Sequence, residues 1–131
     1  MKRRNLLGLM AAAVAVKIEA AAPSASARPI QLNCDLAVKP SKEADFVKYF
    51  EDVFRPVAKK YEGYIDLKLL KLYSAVRGAT PANCKFRFSL TYKSEPLRLK
   101  WVDSPEHAKA WPPMEAMLTD ANFNILVYDV Y

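Results

Sequence analysis

The chain has 131 residues, 52% of them hydrophobic and only three of them glycine, a composition that suits one packed domain and excludes a disordered chain. Its formal net charge is +6, but Lys2, Arg3, Arg4 and Lys17 against Glu19 place half of that excess in residues 1–27. The mild remainder, with no basic cluster among aromatic residues, excludes a nucleic-acid-binding footprint.

The first segment reads as an address. Lys2-Arg3-Arg4 precedes an apolar run from Leu6 to Val16, and Ala25-Ser26-Ala27 is a small-x-small site where a signal peptidase can cut. The run is shorter than the roughly 20 residues needed to span a bilayer, and Lys17 and Glu19 stop it from extending further. The expectation is a signal peptide over 1–27, a single mature domain over 28–131, and no stable membrane anchor after cleavage. An ordinary N-terminal helix is the alternative. Arg3-Arg4-Asn5-Leu6-Leu7 is similar to the twin-arginine export signal. That similarity implies a bacterial protein exported after folding, to the periplasm or beyond. The general secretory route is the other reading.

In the mature chain, Pro29 to Val38 alternates Ile30, Leu32, Cys34, Leu36 and Val38 with Gln31, Asn33, Asp35 and Ala37, the period of a strand with one apolar face. Pro40-Ser41 breaks it, and Ser41 can cap a helix. Phe46, Phe50, Val53, Phe54, Val57 and Tyr61 then recur at three- and four-residue steps, one buried helical stripe. Pro56 should kink that helix, because it removes a hydrogen bond, and Gly63 is placed to end it. Tyr64 to Tyr73 reads as a second strand with Ile65, Leu67 and Leu69 on one face. Cys84 to Tyr92 reads as a third, with Phe86, Phe88, Leu90 and Tyr92 alternating with Arg87, Ser89 and Thr91. Lys93-Ser94-Glu95-Pro96 interrupts it, and Leu97 to Trp101 continues it past a bulge or returns as a hairpin. Asp103-Ser104-Pro105-Glu106 starts a second helix with His107, Trp111, Met114 and Leu118 on one stripe. Pro112-Pro113 should break or restart it, and Phe123 to Tyr131 is the last strand.

The order is βαββαβ. Its economical solution is a ferredoxin-like α+β fold, a four-stranded antiparallel sheet with two helices on one face. The opposite face, with Gln31, Asn33, Asp35, Arg87, Ser89 and Thr91, is polar and meets solvent or a partner.

Three stretches carry a family resemblance. They are the first strand running through Lys39-Pro40-Ser41-Lys42-Glu43 into an aromatic-rich helix, Phe54-Arg55-Pro56 followed by Tyr61-Glu62-Gly63-Tyr64, and Lys100-Trp101 followed by Asp103-Ser104-Pro105-Glu106-His107. From about Ile30 to Tyr131 the chain resembles the antibiotic biosynthesis monooxygenase (ABM) domain of the dimeric α+β barrel superfamily. The resemblance implies a homodimer, with two sheets packed into a barrel, and a small-molecule substrate or ligand. Some members oxidise quinols or phenolic polyketides with molecular oxygen and no cofactor. Related members bind and degrade haem, and others have no known reaction.

Cofactor-free oxidation asks for a base beside a substrate hydroxyl in a dry aromatic pocket. His107 is the chain's single histidine and the natural base at neutral pH. The resemblance to haem-degrading relatives adds Trp101 and Asn33 to the candidate catalytic set, and Phe88, Tyr92 and Trp111 are candidate pocket walls. The alternative makes the aromatics core and His107 a half-exposed residue at a helix start. The haem-degrading relatives imply an asparagine, a tryptophan and a histidine at comparable places. Here His107 lies earlier in its helix than theirs, and Asn33 falls on the polar face. Asp35 and Arg87 should pair across neighbouring strands. Export places Cys34 and Cys84 in oxidising surroundings, where a disulfide can form; two buried free thiols are the alternative. No cysteine–histidine spacing marks a metal site. The leading expectation is therefore an ABM-like monooxygenase without cofactor acting on a small aromatic molecule. A non-catalytic binding or structural dimer and a haem-binding protein are its alternatives.

Overall fold

The computed structural model describes residues 28–131; the expected signal peptide lies outside them. Strand β1 (Ile30–Leu36) alternates buried and half-buried residues along its whole length. Its buried set, Ile30, Leu32, Cys34 and Leu36, lies under the helices. β1 is central in a sheet of order β2-β3-β1-β4, with β2 (Tyr64–Lys71), β3 (Phe86–Tyr92) and β4 (Ile125–Asp129). All pairings are antiparallel. The register sets Cys34 opposite Phe88 and Asn33 opposite Ser89. It thus sorts apolar residues to one face and polar ones to the other, as period-two alternation requires. On the polar face Arg87 makes two hydrogen bonds to the Asp35 carboxylate, at 2.9 and 3.2 Å, the expected cross-strand pair.

The first crossover begins with a 3-10 turn, Pro40–Lys42. Ser41 sits inside that turn and caps nothing. The helical rod then runs as α1 (Glu43–Tyr49), a π-helical turn (Phe50–Phe54) and α2 (Arg55–Ala58). The expected kink at Pro56 is replaced by that wide turn. The Arg55 N–H donates to the Phe50 carbonyl, five residues back, so the ladder has already slipped where proline cannot donate. Phe46, Phe50 and Phe54 are all but fully buried over β1 and β3. Burying each stabilises the fold by roughly 1.5–3 kcal/mol. Gly63 adopts φ +92°, and a side chain there would meet Leu97 at under 3 Å. The position thus needs glycine both for its backbone and for its neighbour.

Two expectations about the sheet fail locally. Ile65 does not share a face with Leu67 and Leu69, because the pairing slips between Tyr64 and Asp66. This bulge turns Ile65 outward. Leu97 to Trp101 is helical rather than extended. Ser94 caps helix α3 (Glu95–Val102), accepting the Leu97 N–H, and Pro96 occupies its first turn. Serine, acid and proline in a row are a helix start, which here outweighs the apolar look of the next five residues.

Ser104 caps helix α4 (Pro105–Glu115) in the same manner. Pro112 and Pro113 do not break α4, which runs through both. The carbonyls they leave without N–H partners belong to Ala108 and Lys109. Both residues are exposed, so water can satisfy them. The result is a ferredoxin-like α+β fold with all the helices on one face of the sheet. β4 is its exception to burial: every residue of the strand remains exposed, with Leu126 and Tyr128 on the polar side by their pairing with Asn33 and Gln31.

Candidate functional site

Between the sheet and the second crossover lies a cavity of about 140 Å³. Leu32 and Cys34 of β1, Phe88 and Leu90 of β3, and Ile125 of β4 form its floor. Phe54 enters from the π turn, Arg98, Trp101 and Val102 from α3, and His107 and Trp111 from α4, with Phe123 beside them. Wider clefts occur elsewhere, one of about 270 Å³ around Asp35, Cys84 and Asp120. Its lining mixes polar and apolar residues with Phe123 as the one aromatic, against Phe54, Phe88, Trp101, Trp111, Phe123 and His107 around the smaller cavity.

The geometry of the second crossover places His107. The Ser104 Oγ donates to the Trp101 carbonyl at 2.7 Å and accepts the His107 backbone N–H at 3.1 Å. One serine thus joins the end of α3 to the start of α4 and fixes the backbone from which both rings project. The His107 imidazole stands edge-on to Trp101, with ring centres 5.0 Å apart. It lies nearly parallel to Trp111 at 6.5 Å and is 6.2 Å from Phe54. Trp111 is anchored in turn, its indole N–H donating to Glu115 at 2.8 Å. Among the described residues, neither ring nitrogen of His107 has a hydrogen-bond partner. Burial, and then the nearby Arg98 charge, hold the His107 pKa below its ordinary value of 6.5. The ring is therefore neutral at pH 7, with a lone pair available.

Arg98 is the one formally charged residue on the cavity wall. Its Nε and Nη2 donate to the two oxygens of Glu95 at 2.7 and 2.6 Å. The side chain is only 11% exposed. Cys34 lines the cavity as a buried thiol, and burial, with the adjacent Asp35 charge, pushes its pKa up to about 12. It is thus a neutral S–H rather than a thiolate nucleophile.

The structure brings together His107, Trp101, Trp111 and Phe88. It does not bring Asn33 to them. Asn33 pairs with Ser89 and Leu126 on the opposite face of the sheet, so the asparagine–tryptophan–histidine set expected of a haem-degrading site is not assembled within the chain. Tyr92 is not a cavity wall either. It is fully buried at the other end of β3, where its hydroxyl donates to the Ala58 carbonyl at 3.3 Å. Cys34 and Cys84 are free thiols. Cys34 sits over the helix-side face, whereas Cys84 lies before β3 in the cleft with Asp35 and Asp120. Sequence reasoning missed Phe54, Cys34 and Arg98 as cavity residues. For Arg98 the signal was present: it precedes Trp101 by three residues, one helical turn, once Ser94 is read as a cap.

No protein-family model matches the sequence, and no curated protein is significantly similar to it. Solved structures are similar in fold. One is a protein of Caulobacter crescentus assigned as a candidate antibiotic biosynthesis monooxygenase, with 18% identity, a TM-score of 0.64, and 83% of this chain and 95% of that chain covered. Another, assigned in the same way, is from Bordetella bronchiseptica, with 13% identity, a TM-score of 0.63, and 79% and 98% covered. A third is the hydroxynitrile lyase of Passiflora edulis, with 8% identity, a TM-score of 0.65, and 80% and 95% covered. The chain therefore has the ABM-like α+β fold. Because that fold also carries a lyase, the reaction must be argued from the site.

Proposed function

We propose that the chain binds a small planar aromatic molecule of the phenol or quinol class in the cavity beneath α3 and α4, and that it oxidises this molecule with molecular oxygen without a cofactor. The observation that carries this reading is His107, a neutral imidazole with unpartnered nitrogens on the wall of an aromatic cavity. In this role His107 removes the proton of the substrate hydroxyl. The resulting anion is electron-rich enough to react with oxygen, one atom of which enters the ring as a carbonyl while the other leaves as water with two substrate hydrogens. Phe54, Trp101, Trp111 and Phe88 hold the ring plane, and the exposed Ile125 of β4 leaves an entrance.

The test is oxygen uptake by residues 28–131 with a panel of quinols and polyphenols, wild type beside His107→Ala. General-base removal should lower the rate by about 100-fold or more, with little change in melting temperature. A panel without uptake by wild type sinks the oxygenase and leaves a non-catalytic binding domain. The edge-to-face packing of Trp101, His107 and Phe54 at 5.0–6.2 Å favours that second reading, since rings already in contact can serve simply as core.

We also infer a homodimer formed through the open sheet face and β4. Leu126, Tyr128 and Leu70 lie on that face and are each nearly half exposed, a surface that a second sheet would cover. Light scattering on residues 28–131 should give twice the monomer mass, and a monomer at every concentration would remove the inference.

A further inference from the structure

The cavity holds two polar groups of opposite character, and they stand on different helices. His107 on α4 is an acceptor for a ligand hydroxyl. Arg98 on α3 is a donor with capacity to spare. Glu95 engages Nε and Nη2, and among the described residues Nη1 meets no acceptor. A guanidinium carries five N–H donors in a fixed plane, and this side chain is only 11% exposed and borders the cavity, so a bound molecule can accept from the donors that Glu95 leaves free. The Arg98–Glu95 pair is neutral as a unit, which disfavours a ligand that arrives as a full anion. It suits an oxygen that is neutral on arrival and gains negative charge after binding.

We propose that Arg98 selects the ligand through a carbonyl oxygen, using Nη1, and that Glu95 is the positioning residue that holds the guanidinium plane. The ligand class is then a fused or single aromatic ring with a ring carbonyl for Arg98 and a hydroxyl for His107. This rests on the reading of the cavity as a site for an aromatic molecule. As His107 takes the hydroxyl proton, conjugation moves charge onto the carbonyl oxygen, and a charge-assisted hydrogen bond strengthens as that charge appears.

Trp101 and Trp111 line the cavity, so quenching of intrinsic fluorescence reports occupancy. Three probes separate the roles: 1-naphthol has the hydroxyl alone, 1,4-naphthoquinone the carbonyls alone, and 5-hydroxy-1,4-naphthoquinone both. Wild type should bind the two quinones at least about tenfold more tightly than 1-naphthol, as befits a hydrogen bond to a charged donor. Arg98→Met should reduce that preference to within about twofold, with 1-naphthol as the reference ligand within each variant. Glu95→Gln should reduce it in part. Should Arg98→Met not fold, Arg98→Lys, which keeps the charge but loses the planar fork, should also lose most of the preference. An undiminished preference in the arginine variants overturns the proposal. Wild type binding 1-naphthol as tightly as the quinones overturns it too, while the aromatic-site reading stands. No binding of any probe removes both.

Discussion

The helix-covered face of the sheet is built differently at its two ends. At one end Tyr92 is fully buried against the end of α2, its ring 6.2 Å from Tyr64 and its hydroxyl engaged by Ala58. Burial pushes the Tyr92 pKa well above its ordinary value, so the group is a fixed neutral donor. At the other end the same face is hollow. There Cys34, His107 and Arg98 are among the residues that surround about 140 Å³ of space. The same sheet and rod of helices frame both ends. What differs is whether polar atoms are satisfied within the chain. A closed hydrogen bond marks the packed end, and the His107 nitrogens without a partner among the described residues mark the hollow one.

Removing Tyr92 should produce the largest effect. Tyr92→Ala opens a cavity in the packed end and should cost about 3–5 kcal/mol, read as a lowered denaturation midpoint. A loss of less than about 1 kcal/mol would mean that the two ends are equally loose. Ser104→Ala should come next. The cap contributes about 1 kcal/mol, and without it His107 and Trp101 lose their common anchor. Oxygen uptake should therefore fall by more than the stability loss explains, and retained uptake would show that His107 needs no anchoring. The smallest effect is that of pH. Burial holds the His107 pKa below 6.5, so on acidification the unfolded chain takes up that proton first. Stability is thus complete above about pH 6.5 and declines as pH falls toward the lowered folded value. In His107→Gln the slope below about pH 6.5 should flatten; an unchanged slope would mean that the ring is solvated.

Much of this contrast was legible in the residues. Strict alternation in β1 and β3 identified both faces of the sheet, and the same parity put Asn33 on the wrong side for His107. The failures share one cause: a local signal was read without the neighbour that governs it. Ile65 alternates correctly with Leu67, but the bulge beside it is set by pairing with β3. Pro56 signals a broken helix only if the preceding turn stays α-helical, and Phe50–Phe54 does not. Tyr92 and Phe88 share a face and a residue class. Which of them borders empty space depends on the crossover above, and α3 was hidden because Ser94-Glu95-Pro96 looked like an interruption.

Ser94 and Ser104 repeat one device, a serine cap with proline within the next two residues. Each cap carries one polar group to the void, Arg98 three residues after the first cap's Glu95 and His107 three residues after the second cap itself. The charged donor and the imidazole of the cavity thereby stand on separate helices. The two helices are not independent, because the Arg98 charge on α3 reaches the His107 ring on α4 and Trp101 stands against that ring at 5.0 Å, so a change in either helix is felt in the other.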